Sequence, residues 1–173
     1  MSIAVYPGSF DPVTIGHLHI AERACRLFDL VVVAVAEKTY KNTLFSLEER
    51  IAFVEDAVAH LPNCEIVTYN ALTVDLARKY DACAIIRGLR AISDYEYEMQ
   101  VAAINKHLDE GIETVFLMAN SDYTFISSSM IKQVSSTGGK ITGLVTPMVE
   151  AAMRKRLFLS GGQQDSLEPQ SSL

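Results

Sequence analysis

Two short segments hold most of the residues able to do chemistry in this chain: Tyr6-Pro7-Gly8-Ser9-Phe10-Asp11-Pro12-Val13-Thr14-Ile15-Gly16-His17-Leu18-His19, and Arg87-Gly88-Leu89-Arg90. The first supplies a small hydroxyl at Ser9 and two glycines, Gly8 and Gly16, where a ligand can approach backbone closely for want of a Cβ. It then enters a helix whose free amides and positive dipole end suit an anion. Its spacing is neither G-x-G-x-x-G nor a P-loop. His17 and His19 stand two apart, about 200° around a helix, so they cannot share a face as the histidines of H-E-x-x-H do. His17, just after Gly16 at the helix entrance, is the functional candidate, with helix capping as its structural alternative. His19 reads as a helix-surface residue.

Arg87 and Arg90 flank Gly88 directly after the apolar Ile85-Ile86. Arginines at a strand end often pair with acids, but two forked guanidiniums beside a crevice suit phosphate recognition. In Phe125-Ile126-Ser127-Ser128-Ser129-Met130-Ile131-Lys132, three serines open a helix and combine hydroxyls with free amides. Simple capping accounts for one of them. Lys38 and Lys41 could reach an anion from another side. With no nucleophilic cysteine, triad or metal cage in view, the pattern points to phosphoryl or nucleotidyl transfer driven by positioning and charge stabilisation.

Such a site needs elements to hold it. Apolar, β-branched runs at Ser2–Tyr6, Leu30–Val35, Ile66–Tyr69, Ala82–Ile86 and Thr114–Met118 predict strands buried on both faces. Leu18, Ala21, Cys25 and Phe28 fall on one helical face. Ser46-Leu47-Glu48-Glu49 is a capping box opening a helix that runs to about Ala59. Further helices are predicted over Thr73–Lys79, Asp94–Leu108, Ser127–Val134 and Pro147–Leu157, the last with proline in its first turn. Alternation of this kind predicts an α/β fold: a Rossmann-like, doubly wound, five-stranded parallel sheet in the order 3-2-1-4-5 with helices on both faces. Its crevice would lie beyond the carboxyl ends of strands 1 and 4, where the winding reverses. The segments quoted above follow those two strands. The polar composition from Ser160 onward predicts a disordered tail over 160–173 after a single domain over 1–159.

Length 173 and 49% apolar residues suit one globular domain. A net charge of −6 argues against a nucleic-acid binder that relies on general electrostatic attraction. Cys25, Cys64 and Cys83 are scattered, without metal-ligand spacing, and read as buried or half-buried thiols in a reducing compartment. The N-terminus lacks a signal-peptide pattern and no apolar run approaches membrane-spanning length, so the expected location is cytoplasmic, with no membrane partner.

YPGSFDPVTIGHLHI, LFSLEERI, IIRGLRAISDYEYEMQVAAIN and FISSSMIK together resemble the bacterial phosphopantetheine adenylyltransferases, in one register from about Ile3 to Leu157. The T-x-G-H motif (Thr14 to His17) marks the wider nucleotidyltransferase superfamily, and the Arg87 segment is more specific. The resemblance implies transfer of AMP from ATP to 4′-phosphopantetheine, giving dephospho-coenzyme A and pyrophosphate, by in-line attack without a covalent enzyme intermediate. It implies that His17 stabilises transition-state charge, with Lys41 and Arg90 also catalytic. Ser9, Lys41, Thr73 and Arg87 would hold phosphopantetheine. Ser9, Phe10, His17, Gly88, Leu89, Arg90, Glu98, Tyr123, Thr124, Phe125, Ile126, Ser127, Ser128 and Ser129 would bind ATP. On its own Glu98, one turn after Asp94, reads as part of a solvated acidic face. Magnesium would arrive with ATP, with no dedicated metal ligands. The resemblance further implies a homohexamer and coenzyme A as feedback inhibitor.

Some positions depart from the family pattern. Ser9 stands where many members have threonine, and Lys41-Asn42-Thr43 where Lys-Lys-Pro is common. The main rivals are a nicotinate mononucleotide adenylyltransferase or a cytidylyltransferase, which favour H-x-G-H over Thr14 and arginine over Lys132. A non-catalytic nucleotide-binding module would leave His17, Arg87 and Arg90 without a joint purpose. A class I aminoacyl-tRNA synthetase would need more chain.

Overall fold

The computed structural model describes residues 1–39, 42–90 and 92–161, with backbone alone for 92–94 and 157–161. Chain order is β1 (Ile3–Gly8), α1 (Ile15–Leu27), β2 (Leu30–Ala36), α2 (Leu47–Val58), β3 (Cys64–Tyr69), α3 (Thr73–Lys79), β4 (Ala84–Leu89), α4 (Ile92–Leu108), β5 (Glu113–Met118), α5 (Ser128–Ser136) and α6 (Pro147–Gly161). A 3-10 turn at Ser121–Tyr123 precedes α5. The five strands form one parallel sheet in the order β3-β2-β1-β4-β5, as the alternation predicts.

Side-chain alternation along these strands builds two cores. Ala4, Tyr6, Val31, Val33, Val35, Ala84 and Ile86 pack against α1, α2, α5 and α6 through Ile20, Ala24, Phe53, Val54, Ile131, Val149 and Met153. Val5, Val32, Ala34 and Ile85 face the other way, onto α3 through Val74, Leu76 and Ala77. Strands covered on both faces must read as continuous apolar runs, which is why β2 is almost wholly valine and alanine. The capping box at α2 is present in full: Ser46 caps the Glu49 amide and Glu49 reaches back to the Ser46 amide at 2.8 Å. Arg156 of α6 then binds the same Glu49 carboxylate at 2.6 and 2.8 Å, tying α6 to α2.

The structure corrects several boundaries. Strand β1 runs on through Pro7 and Gly8, paired with Ala34 and Val35 of β2. Its ladder to β4 stops at Val5, opposite Ile85. Pro7, with no N–H to donate, thus sits where β1 has already parted from β4, and that parting opens the crevice. Arg87 and Gly88 belong to β4 rather than to a loop, because β5 continues beside them in the register Arg87–Phe116, Gly88–Leu117 and Leu89–Met118. Helix α4 begins at Ile92, and α5 begins at Ser128 with Ser127 as its cap. Helix α6 reaches Gly161 rather than Leu157, so 160 and 161 of the expected tail are helical, while 162–173 lie outside the described residues.

Cys25 and Cys64 are half-buried, as expected, but Cys83 is exposed. Burial, with Cys25 alongside, pushes the Cys64 thiol up to about 12. Among the described residues no helix is long and apolar enough to cross a membrane.

Candidate active site

Beyond the carboxyl ends of β1 and β4 lies a cavity of about 380 Å³. Ser9, Phe10, His17, Arg87, Gly88, Arg90, Glu98, Ile126, Ser127, Ser128 and Ser129 line it, so most of the residues singled out in the sequence meet there. Leu89 is buried, and Thr73, Tyr123, Thr124 and Phe125 stand off the lining. Lys41 lies outside the described residues, and Lys38 is exposed.

The β1–α1 loop is held from behind. Phe10 takes a left-handed φ of 47° yet is buried, its ring edge-on to Tyr6 at 5.6 Å and to His17 at 5.3 Å. A Cβ on Gly8 would lie 2.9 Å from that ring. Phe10 thus fills the space on the Cβ side of Gly8, while Gly8 itself still lines the cavity. A Cβ on Gly16 would meet only ordinary contacts, the nearest being Thr14 Oγ1 at 3.5 Å. Gly16 lines the cavity, so its open side remains available to a ligand.

Two charged residues that the sequence did not single out fix this loop. Arg50 of α2, fully buried, donates from Nη1 to the Ser9 and Ala36 carbonyls, both at 2.8 Å, joining the loop to the end of β2. Asp11, also buried, accepts from the Leu44 and Phe45 amides at 2.9 to 3.0 Å and from Lys132 Nζ at 2.7 Å. One carboxylate thereby joins the β1–α1 loop, the chain entering α2, and α5. A signal for Arg50 was present: it shares a helical face with Phe53, Val54 and Ala57. An arginine on a buried face must find partners.

His17 takes both of its candidate roles at once. It stands third in α1, where a capping box usually has Glu or Gln. Its amide donates to Thr14 Oγ1 at 3.4 Å, while the Thr14 amide donates to His17 Nδ1 at 3.1 Å. An amide can only donate, so Nδ1 is unprotonated and the single ring proton of the neutral form sits on Nε2. Burial, and secondarily the Arg90 guanidinium, push the imidazole down to about 4. His17 is therefore a neutral N–H donor at neutral pH. Of the first α1 amides, Ile15 donates to the Leu144 carbonyl and His17 to Thr14, leaving Gly16 beside the cavity. His19 is half-buried and lies against Tyr123, ring centroids 4.7 Å apart, rather than standing on the open helix surface.

Arg87 reaches across to α4 and binds Glu98 in a fork, Nε to Oε2 at 2.6 Å and Nη2 to Oε1 at 2.7 Å. Glu98 is buried, not part of a solvated acidic face, because this guanidinium covers it. Burial opposes the Arg87 charge, but the Glu98 hydrogen bonds and charge outweigh it and hold its pKa above the ordinary value. Burial likewise raises the Tyr6 hydroxyl, against the pull of Arg87 and Arg90. Both tyrosines beside these guanidiniums, Tyr6 and Tyr69, line the cavity as neutral phenols. Arg90 Nη1 donates to the Ile126 carbonyl at 3.1 Å, drawing the β4 end toward the serine motif.

The three serines divide their work. Ser127 caps α5 by accepting from the Met130 amide at 3.0 Å, and the Ser128 hydroxyl donates to the Pro12 carbonyl at 2.8 Å. Two hydroxyls are thus structural, where the sequence suggested one. Ser129, exposed on the cavity wall, and the first α5 amides remain for a ligand. The whole assembly presents N–H and O–H donors and guanidiniums toward one volume, and its carboxylate is already engaged. It can bind phosphate oxygens and stabilise charge developing on them.

A family model described as cytidylyltransferase-like matches residues 5–134. Among curated proteins, the phosphopantetheine adenylyltransferase of Moorella thermoacetica is 53% identical over 156 residues, covering 90% of this chain and 98% of that protein. That of Geotalea daltonii is 49% identical over 153 residues, 88% of this chain and 95% of that one. Among solved structures, a putative nicotinate-nucleotide adenylyltransferase from Vibrio parahaemolyticus superposes with a TM-score of 0.60 at 17% identity. It covers 89% of this chain and 99% of its own, a likeness of fold alone.

Proposed function

The chain belongs to the phosphopantetheine adenylyltransferase family, and we propose that it transfers the adenylyl group of ATP to 4′-phosphopantetheine, giving dephospho-coenzyme A and pyrophosphate. A phosphate oxygen of phosphopantetheine forms a bond to the α-phosphorus of ATP. The bond from that phosphorus to the α,β-bridging oxygen breaks, and its electron pair leaves with pyrophosphate. No covalent enzyme intermediate forms.

The observation that carries this reading is the neutral His17, anchored through Nδ1 by the Thr14 amide, in a cavity it shares with Arg87 and Arg90. Its Nε2–H donates to an α-phosphate oxygen as charge builds there. Arg90, with Ser9, Phe10, Gly88, Leu89, Glu98 and the Tyr123 to Ser129 segment, forms the ATP side. Arg87, aimed by Glu98, holds the phosphate of phosphopantetheine with Ser9 and Lys41, and Thr73 serves the pantetheine arm. Tyr69 lines the cavity, and the Thr73 hydroxyl beside it and Arg87 partly offset the rise that burial gives its phenol.

Magnesium enters as part of the ATP complex. No group of three or more His, Cys, Asp or Glu among the described residues could hold a metal, and Asp11 and Glu98 are both taken by protein donors. The domain, which runs through the end of α6, works in the cytoplasm as a homohexamer that coenzyme A inhibits. Exposed Tyr97, Ile104 and Leu108 make an apolar stripe on α4 that suits packing between copies.

Purified protein with magnesium-ATP is tested with phosphopantetheine and, separately, with nicotinate mononucleotide, following pyrophosphate. Turnover with phosphopantetheine alone is expected. No turnover with phosphopantetheine refutes the reading.

A further inference from the structure

Tyr6 stands at the floor of the site, yet the reaction above gives its hydroxyl nothing to do. The β1–β4 ladder ends at Val5, opposite Ile85, so Tyr6 is the first β1 residue beyond the parting that opens the crevice. It is 5% exposed and lines the main cavity. Its ring packs edge-on against Phe10 at 5.6 Å. The hydroxyl is a different matter: among the described residues no group hydrogen-bonds to it. Nor is it sealed away, since the sealed side-chain atoms that lack a partner there are Arg50 Nε and Asn105 Nδ2. The little surface that Tyr6 keeps therefore belongs to the cavity, and Oη opens on it. A hydroxyl taken out of water without a protein partner carries a desolvation cost that only a ligand or a water returns.

Its surroundings select the ligand. Burial keeps Tyr6 a phenol, and of the two charges that reach it Arg87 acts more strongly than Arg90. Guanidiniums only donate, so neither offers the hydroxyl an acceptor. The one carboxylate on the cavity wall, Glu98, is held by the Arg87 fork at 2.6 and 2.7 Å. An O–H donor beside two cations, with the wall's carboxylate already engaged, suits an oxyanion. The stronger pull of Arg87 puts that oxyanion on the Arg87 side, the side given above to the phosphate of phosphopantetheine.

We propose that the Tyr6 hydroxyl donates to a non-attacking phosphate oxygen of phosphopantetheine and so turns the attacking oxygen toward the α-phosphorus of ATP. The proposal rests on the adenylyltransferase reading and deepens it. Tyr6 is then a substrate-binding residue that tells a phosphate monoester from its dephosphorylated form.

The test compares phosphopantetheine with pantetheine, each bound to the full chain without ATP and read by calorimetry. Tyr6→Phe keeps the ring against Phe10 and removes only the hydroxyl. Its affinity for phosphopantetheine should fall about ten- to a hundredfold, the size of a lost hydrogen bond to a charged group. Pantetheine and, in a separate titration, ATP should bind as they do to wild type. The ligand-free variant should melt at or above the wild-type temperature, because no protein hydrogen bond is lost. Equal losses for phosphopantetheine and pantetheine, or no loss for either, would overturn the proposal and leave Tyr6 as packing. So would a loss confined to ATP, which would place the hydroxyl on the nucleotide. Failure of the reading itself shows separately: wild-type protein that does not bind phosphopantetheine at all refutes that reading and takes the proposal with it.

Discussion

Replacing His17 separates its two roles. His17→Ala removes the Nε2–H donor and also leaves the Thr14 amide, on a residue 2% exposed, without its acceptor. Losing one preorganised donor to a developing oxyanion costs about 3–4 kcal/mol, so kcat should fall about a hundred- to a thousandfold. Losing the cap should cost about 1 kcal/mol of stability, which leaves the protein folded. His17→Glu tells the two apart. Glutamate is the usual partner at this position of a capping box and can accept from Thr14, so stability should return to near wild type. It has no donor for the α-phosphate, so kcat should stay at or below that of the alanine variant.

Steady-state kinetics paired with denaturant unfolding reads both quantities. A glutamate variant with near wild-type kcat would refute the donor role and reduce His17 to a helix-start residue. The pH dependence adds a second check. The ring is pushed down to about 4 from an ordinary 6.5, so between those values the unfolded chain binds the proton that the folded chain refuses. Stability should therefore drop as pH falls from about 6.5 toward 4, and His17 should contribute no slope above that window. His17→Ala should lose this component of the acid destabilisation.

Three further outcomes follow from the packing around the site. Gly8→Ala should cost about 1–3 kcal/mol, because the added methyl would lie 2.9 Å from the buried Phe10 ring. Melting curves should show Phe10→Leu relieving part of that cost, and strict additivity would refute the contact. Arg50→Met should lose about 1–3 kcal/mol and raise the KM for ATP, since the Ser9 and Ala36 carbonyls lose their shared donor; unchanged melting and KM would mean the loop holds its shape unaided. Arg87→Lys should raise the KM for phosphopantetheine more than that for ATP, because an ammonium cannot reproduce the fork that Glu98 aims, and equal changes in both would argue against Arg87 as the phosphopantetheine contact.

The sheet order was legible because burial on both faces writes a parallel strand as an uninterrupted apolar run, as in Leu30–Ala36. The α2 start was legible because a capping box is a local pattern. What failed was local reading of a non-local cause. Arg87 and Gly88 look like loop residues, and only the register with β5 makes them strand. Asp11 finds Leu44, Phe45 and Lys132, partners 33, 34 and 121 positions away, and no spacing announces that. Glu98 gave the opposite lesson: one turn from Asp94 it suggested a wet face, yet its partner on β4 takes it inside. The residues that touch a ligand carry recognisable chemistry, whereas those that aim them are recognisable only once the chain is folded.

The way His17 is anchored also limits what this site can accept as a nucleophile. In a Ser-His-Asp arrangement the imidazole rests on a carboxylate, which stabilises the imidazolium and lets the ring collect a proton. Here the ring is buried beside a guanidinium, both of which disfavour a second proton, and it rests on a backbone N–H that cannot accept one. Such a ring makes a good donor and a poor base. An alcohol or amine, which must shed a proton as it attacks, would find no acceptor in His17. A phosphate monoester, ionised before it arrives, needs none. Selection among attacking groups is thus partly made by acidity, before shape is consulted: the cavity favours molecules that bring their own negative charge.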